Sequence, residues 1–138
     1  MPVHSAQIRV STEGNGDIID ITPGIQEVVK TAGMADGLVN VFVAHSTAAI
    51  SLIEFEPGGV SDLRDLMERV VPEDHDYHHN RTAGDTNAHA HLRAAVVGPS
   101  ESAPLKGGRL QTGTWQQFVL IDFDDHPRER TVMVQVIG

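Results

Sequence analysis

Hydrophobic and polar residues alternate along several short segments of the chain, which is typical of β-strands with one buried face. The segment 48–55, in which only Ser51 and Glu54 are polar, instead resembles a strand that is largely buried. Together these patterns predict strands at 3–10, 17–21, 37–45, 48–55, 114–123 and 131–137. The first two of these segments flank the turn Gly14-Asn15-Gly16, so they predict a β-hairpin.

Three other segments carry apolar residues at helical spacing. The first begins with the capping pair Thr22-Pro23 and ends at Gly33, the second covers 60–71, and the third begins at Thr86 as the capping residue and ends before Gly98-Pro99. In the third helix the apolar stripe predicts the buried face and includes His91, while His89 lies on the opposite side; the stripe consists of Ala88, His91, Leu92, Ala95 and Val96.

Strands at both ends of the chain with helices between them predict an α+β domain with a mainly antiparallel sheet and about three helices. The length of 138 residues is that of one domain, 1–138. The region 73–85 has no periodicity and is predicted to be a loop that is rich in His and Asp. The chain contains neither a dinucleotide-binding nor a P-loop glycine motif.

Composition narrows the classes of partner and of chemistry. The formal net charge of −9 opposes binding to nucleic acid and to an anionic membrane surface. No apolar run is long enough to span a bilayer and no secretory signal pattern opens the chain, so we expect a cytoplasmic protein. The absence of cysteine agrees with a reducing compartment and restricts any metal site to nitrogen and oxygen ligands.

Histidine is the most informative residue type, because five of the eight histidines lie between residues 75 and 91. The strand pattern turns His45 towards the same face as three valines, and the helix pattern turns His91 inwards. Buried imidazoles need partners. They are either core histidines that pair with a backbone carbonyl or with Glu54, or ligands of a divalent cation such as Zn²⁺. The pattern alone does not choose a third ligand among His75, His78 and His79.

Two further groups of residues offer chemistry. Glu54 is either a general base or metal-supporting carboxylate, or the first exposed residue after a strand. An oxyanion could bind to backbone amides near Gly113 and to a guanidinium of Arg128 or Arg130. Hydroxyl groups that could assist are those of Ser46, Thr47 and Thr114. Trp115, the only Trp, is interpreted structurally as a core anchor.

These segments, in this order and spacing, resemble the YjbQ-like family, whose members are often described as secondary thiamine-phosphate synthases. The resemblance spans nearly the whole chain. Its carriers are 44–49, Glu54, Asp62-Leu63, Pro72, 77–80, 87–92, 98–100, 108–110, 113–116 and Pro127-Arg128. The presence of His89 directly before Ala90-His91 departs from the acidic or small residue expected there.

The resemblance implies a compact α+β or sandwich-like fold that assembles as a homotrimer with sites near subunit contacts. It transfers the three family histidines onto His45, His79 and His91 as ligands of a divalent metal, with zinc the first choice and magnesium the alternative. Glu54 and Arg128 would be catalytic. The group that binds substrate or phosphate would comprise Ser46, Thr47, Gly113, Thr114 and Trp115.

The implied reaction joins hydroxymethylpyrimidine diphosphate to thiazole phosphate and releases pyrophosphate. The usual thiamine-phosphate synthase is a TIM barrel of roughly 250 residues, so 138 residues must house such an activity in another fold. Two alternatives use the same residues. One is a metal-dependent phosphoester hydrolase, and the other is a non-catalytic trimer that binds a small ligand or a metal.

Overall fold

The computed structural model describes residues 1–138 as eight strands and four helices. The strands are β1 (Val3–Thr12), β2 (Asp17–Asp20), β3 (Gly37–Val43), β4 (Ala48–Ile53), β5 (Ser100–Lys106), β6 (Arg109–Leu110), β7 (Gln117–Asp122) and β8 (Arg128–Ile137). The helices are α1 (Thr22–Ala32), α2 (Pro57–Val70), α3 (His78–Thr82) and α4 (Ala88–Val97). None of the helices is both long enough and apolar enough to cross a membrane.

The strands form two sheets in which every neighbouring pair is antiparallel, so the predicted α+β class with a mainly antiparallel sheet is confirmed. The larger sheet has the order β1-β8-β3-β5-β6 and the smaller one has the order β2-β7-β4. Alternate valines of β3 and β8 turn inwards and are fully buried, as their period of two requires.

The smaller sheet is covered on both faces. Phe118 and Leu120 of β7 face the larger sheet and α1, and they belong to the main core. Val119 and Ile121, the residues between and after them, face α2 and α4 and belong to a second core. Because β7 is buried on both sides, its sequence is continuously apolar. Such a run does not alternate, so the pattern alone does not distinguish a strand from a buried helix.

The predicted hairpin between β1 and β2 is wrong. β1 pairs with β8, and β2 pairs with β7. The turn crosses between the sheets because the backbone N–H groups of Asn15 and Gly16 donate to the carbonyl oxygens of Asp124 and Asp122, at 2.6 and 2.8 Å. Gly14 makes this approach possible with a φ of 74°, since a Cβ at this position would lie only 2.5 Å from the carbonyl oxygen of His126.

The predicted loop at 73–85 contains the short helix α3, so the structure has four helices rather than three. The third predicted helix is present as α4, but its cap is Asn87 and not Thr86. The face predicted to be buried is also wrong. Leu92 and Val96 are 46% and 63% exposed, whereas Ala90 and Ala94 pack against the smaller sheet in the second core.

Because α4 buries a different face from the predicted one, the two histidines of its first turn have the opposite exposure to that expected. His89 is 2% exposed, while His91 is half-buried on the other side of the helix. The physical reason is size: two alanines one turn apart let the helix backbone lie close to β4, and larger apolar residues would hold it away. Small residues give a weak hydrophobic signal, so the pattern favoured the face with Leu and Val.

Candidate functional site

A buried charge network joins the two sheets at the end where β7 and β4 carry Asp122 and Ala48. Arg130 of β8 donates to both carboxylate oxygens of Asp122, at 2.7 Å each, and to the Thr47 hydroxyl at 2.7 Å. Asp122 is 0% and Arg130 4% exposed, and Thr12 donates a further hydrogen bond to Asp122. The network therefore fixes the positions of three strands and of the β3–β4 connection.

Asp124, two residues beyond Asp122, is a second buried acceptor and holds an exposed guanidinium. The Nε and Nη2 atoms of Arg128 lie 3.0 and 2.9 Å from its Oδ2 atom, and the Arg128 side chain is 43% exposed. Asp124 also accepts hydrogen bonds from Thr47 at 3.1 Å and from the Asn87 amide at 3.3 Å. Asp124 thus connects β8, the β3–β4 connection and the start of α4.

Both carboxyl groups stay ionised to acidic pH. Burial alone would raise the pKa of Asp122, but hydrogen bonds from Arg130 and Thr12 outweigh burial and hold this pKa below its ordinary value. Burial would likewise raise the pKa of Asp124, and hydrogen bonds from the Asp125 backbone and from the side chains of Asn87, Thr47 and Arg128 bring it well below the ordinary value. The guanidinium of Arg128 is therefore paired with an ionised Asp124 carboxylate at neutral pH.

The imidazole rings of His79 and His91 lie side by side, with centroids 4.7 Å apart and planes tilted by 59°. His79 is the second residue of the short helix α3, and the side chain of Asn80 beside it accepts the Ala88 N–H at 3.0 Å, which fixes α3 on the start of α4. The Nε2 atom of His79 is buried and has no hydrogen-bond partner. A bare buried nitrogen next to a second imidazole is the arrangement of a site that accepts a cation or a polar group.

His45 does not lie on a strand, because β3 ends at Val43; the predicted inward strand position is wrong. It lies in the β3–β4 connection, is half-buried, and its Nε2 atom accepts the Thr131 N–H at 3.3 Å. Burial, followed by the nearby charge of Arg130, lowers the pKa of His45 below its ordinary value. The ring is therefore neutral at pH 7, with its proton on Nδ1.

The three histidines do not form a closed ligand set within one chain. Three ligand atoms of His, Asp or Glu lie within 4.8 Å of one another at one place only, namely Asp124, Asp125 and His126. In that group Asp125 already accepts hydrogen bonds from Thr86 and from His126. Of the family histidines, His79 and His91 are in contact, and His45 is held by Thr131.

The remaining predicted residues lie at the other end of the smaller sheet. Glu54 is exposed and follows β4 at the end where Ile53 pairs with Gln117. This end is about 17 Å along β4 from Ala48. The segment 113–115 precedes β7 at the same end, and the Gly113 N–H already donates to Gln116 Oε1 at 2.8 Å. Trp115 is 71% exposed, so its interpretation as a core anchor is wrong.

The two residues near His45 that were predicted to bind phosphate differ in exposure. Ser46 is exposed, while Thr47 is 5% exposed with its hydroxyl bound to Asp124 and Arg130. Asp122, Asp124 and Asn87 were missed as site residues. One signal was available: Asp122 and Asp124 are two carboxylates at alternate positions at the end of an apolar strand, where ionised groups need partners.

This fold and site define a class: an α+β protein of two antiparallel sheets, with two imidazoles in contact at the junction of α3 and α4 and an exposed arginine held by a buried carboxylate. The family model described as "UPF0047 protein YjbQ-like" matches residues 6–138. The chain therefore belongs to the YjbQ-like UPF0047 family, as the resemblance in the sequence indicated.

Relatives from distant organisms match this chain over nearly their full length. A UPF0047 protein of Methanothermobacter thermautotrophicus is 38% identical over 138 residues, which are 100% of this chain and 94% of the relative. The solved structure of a YbjQ-like protein of unknown function from Sulfolobus solfataricus P2 has a TM-score of 0.95 and 35% identity, and the match covers 99% of this chain and 98% of that one. The solved structure of a hypothetical protein from Aeropyrum pernix K1 has a TM-score of 0.91 and 36% identity, and the match covers 97% of this chain and 98% of that one.

Proposed function

We propose that the protein is a metal-assisted enzyme that acts on a small phosphorylated metabolite, with a divalent cation held by His79 and His91 and with His45 as the third ligand. The observation that carries this proposal is the pair of imidazoles 4.7 Å apart, one of which has a buried nitrogen without a partner. An unsatisfied buried nitrogen destabilises the fold unless a ligand occupies it.

The donor set favours zinc over magnesium, because imidazole nitrogen suits Zn²⁺ whereas Mg²⁺ requires mainly oxygen ligands. When bound, such a cation supplies a Lewis acid that polarises a phosphoryl oxygen. Neither nitrogen of His45 is free, because Nε2 accepts the Thr131 N–H and Nδ1 carries the proton. To bind a cation through Nδ1, the ring must move this proton to Nε2. We therefore expect binding of the cation at His45 to be accompanied by release of the Thr131 N–H.

Arg128 is the residue that we assign to the phosphate. Its guanidinium is partly exposed, and Asp124 holds two of its nitrogens, so its orientation is set before the ligand arrives. Ser46 is exposed in the connection that also carries His45 and can donate its hydroxyl to a phosphate oxygen. Thr47 serves the site indirectly, because its hydroxyl supports Asp124 and Arg130.

The reaction that we propose is a transfer of the secondary thiamine-phosphate synthase type. The bond between the hydroxymethylpyrimidine carbon and its diphosphate breaks, pyrophosphate leaves with the bonding electron pair, and the nitrogen of thiazole phosphate forms the new C–N bond. Arg128 and Ser46 bind the departing phosphates in this scheme. Because charged phosphates do not cross a bilayer unaided, we expect the enzyme in the cytoplasm.

We further propose that the active unit is a homotrimer. Glu54 and the exposed segment 113–115 lie at the opposite end of β4 and β7 from His45, so we expect them to approach the histidines of another copy rather than their own. Trp115, 71% exposed, is a large apolar side chain suited to such a contact. In this arrangement Glu54 of one copy acts as acid or base beside the substrate bound by another.

Metal analysis tests the ligand set. Protein purified without chelators is loaded with Zn²⁺, dialysed and analysed for bound metal, alongside His79→Ala, His91→Ala and His45→Ala. We expect one zinc per chain in the unmodified protein, loss in the first two variants, and weakened binding in the third. His75→Ala is the matched control, since that ring is exposed and lies beside Tyr77 in the same loop. Unchanged zinc in His91→Ala would falsify the site.

Product analysis tests the reaction. The zinc-loaded protein is incubated with hydroxymethylpyrimidine diphosphate and thiazole phosphate, and separately with a panel of phosphoesters. Appearance of the C–N coupled product, lost in Arg128→Ala, supports the transferase. Release of phosphate alone identifies a hydrolase that uses the same residues, and zinc binding without any turnover identifies a binding protein; either result overturns the synthase proposal.

A further inference from the structure

A cavity of about 200 Å³ lies on the side of α4 that faces away from His91. Residues two positions apart on a helix point to nearly opposite sides, so His89 faces this cavity while His91 faces His79. The cavity is lined by α2, α4, the turn after β1, the loop after α2 and the outer face of the smaller sheet. It is thus separate from the proposed cation site.

The inner wall of the cavity is apolar. Ile18, Ile121 and Phe123 line it from the smaller sheet, and each is 5% exposed or less. An engineered cavity of about 150 Å³ accommodates benzene, so this space accepts one ring with a small substituent. The apolar wall favours a ring that is itself apolar.

The other end of the cavity is polar and is not satisfied. His89 is 2% exposed, its Nδ1 atom is buried without a partner, and its Nε2 atom lies 3.9 Å from a Glu73 carboxylate oxygen. A proton on Nδ1 would have no acceptor, whereas a proton on Nε2 faces the carboxylate. His89 therefore donates from Nε2 into a gap that is too long for a direct hydrogen bond.

This tautomer disfavours a metal ion and favours a hydroxyl group. A metal on Nε2 would force the proton onto Nδ1, although histidines that bind metals donate from the other nitrogen to an acceptor. A group in the gap must accept from the His89 Nε2–H and donate to the Glu73 carboxylate. A hydroxyl oxygen does both, while a carboxylate or an ammonium does only one.

The charges around the cavity disfavour anions. Arg93 is neutralised by Glu68, with its Nη2 atom 2.6 Å from a carboxylate oxygen, and Arg64 donates to the Gly16 carbonyl. The carboxylates of Asp65 and Glu73 then outnumber the charge of Arg64. The geometry points to a second ligand site, and we propose that this cavity binds a small uncharged alcohol with an apolar ring.

Binding of three matched probes tests the proposal by NMR titration of the whole chain. Phenol carries the hydroxyl, toluene has nearly the same shape without it, and benzoate carries a negative charge. We expect phenol to shift resonances of the cavity residues with saturation, toluene to bind roughly tenfold more weakly, and benzoate not to bind. No saturable shift with phenol, or equal binding of phenol and toluene, overturns the proposal.

Two variants locate the binding. His89→Phe keeps the bulk of the ring and removes the donor, so we expect the preference to reverse in favour of toluene. Glu73→Gln changes an exposed side chain, so we expect it to leave folding intact and to weaken phenol binding several-fold. Glu27→Gln, on the exposed face of α1, is the control. Phenol binding that is unchanged in both cavity variants rejects the site, and neither result depends on zinc or on phosphate.

Discussion

Arg130 donates two hydrogen bonds of 2.7 Å to Asp122, although neither side chain has more than 4% of its surface exposed. Two charges without water are stable only when their geometry and their other hydrogen bonds are good. Here Thr12 and the Asp124 N–H complete the shell of Asp122, and Thr47 completes that of Arg130. The pair holds in place β8, which carries Arg128, and through Thr47 the β3–β4 connection, which carries His45.

Asp122→Asn tests this role. The substitution leaves the guanidinium of Arg130 buried without its counter-charge, so we expect the free energy of unfolding to fall by about 3–5 kcal/mol. Urea denaturation followed by circular dichroism measures the change. Glu27→Gln, which alters an exposed carboxylate in α1, should change stability by less than about 0.5 kcal/mol. A loss equal to that of the control would show that the pair contributes nothing.

The stability of the protein should depend on acidic pH through Asp122 and Asp124. Both folded pKa values lie below the ordinary value of 3.8, so the unfolded chain takes up protons first as the pH falls. The stabilisation from these groups is complete above pH 3.8 and is lost as the pH falls below it towards the folded values. Urea midpoints measured between pH 6 and pH 2.5 should show this decline, and Asp122→Asn should flatten it.

Regular strands were the part of the fold that the sequence predicted best. The segments 37–43 and 131–137 carry valine at every second position, and both form strands with the valines inside. Strand pairing was not predictable from the same pattern. The Gly14-Asn15-Gly16 turn has the composition of a hairpin, but its backbone donates to Asp122 and Asp124, which are more than a hundred residues away.

The candidate site was predicted only in part. The contact between His79 and His91 agrees with the family's histidine set, whereas the support by Asp124 and Asn87 depends on long-range contacts that no local period reveals. His89 was assigned to the exposed face of α4 because alanine weighs little in a hydrophobic pattern. Its burial follows from the close packing of Ala90 on the smaller sheet.

Ala90→Leu tests the packing of α4. Ala90 is fully buried in the second core, so the longer side chain must push the helix away from the smaller sheet. We expect a loss of about 1–3 kcal/mol in the free energy of unfolding. Val96→Ala on the exposed face should cost less than about 0.5 kcal/mol. Equal effects of the two substitutions, measured by urea denaturation, would contradict the orientation of the helix.

Arg128→Lys separates charge from geometry at the proposed phosphate site. Lysine keeps the positive charge but lacks the planar fork whose Nε and Nη2 atoms both bind Asp124. We expect the affinity for inorganic pyrophosphate, measured by calorimetry on zinc-loaded protein, to fall roughly tenfold, and that of Arg128→Ala to fall further. Arg109→Lys, at an exposed position in β6, is the control. Full affinity in Arg128→Lys would mean that only charge matters there.

Trp115→Ala tests whether another copy completes the site. An indole that is 71% exposed in one chain is a candidate for the central contact of an interface, and loss of such a contact weakens association by about 2 kcal/mol or more, or roughly thirtyfold. Sedimentation velocity over a range of concentrations should show a trimer for the unmodified protein and dissociation at higher concentration for the variant. Val70→Ala, an exposed apolar residue of α2, is the control. A monomer at every concentration would remove Trp115 and Glu54 from the proposed active site, because one chain alone keeps them at the far end of β4 from His45, and a variant that assembles as tightly as the unmodified chain would remove Trp115 from the interface.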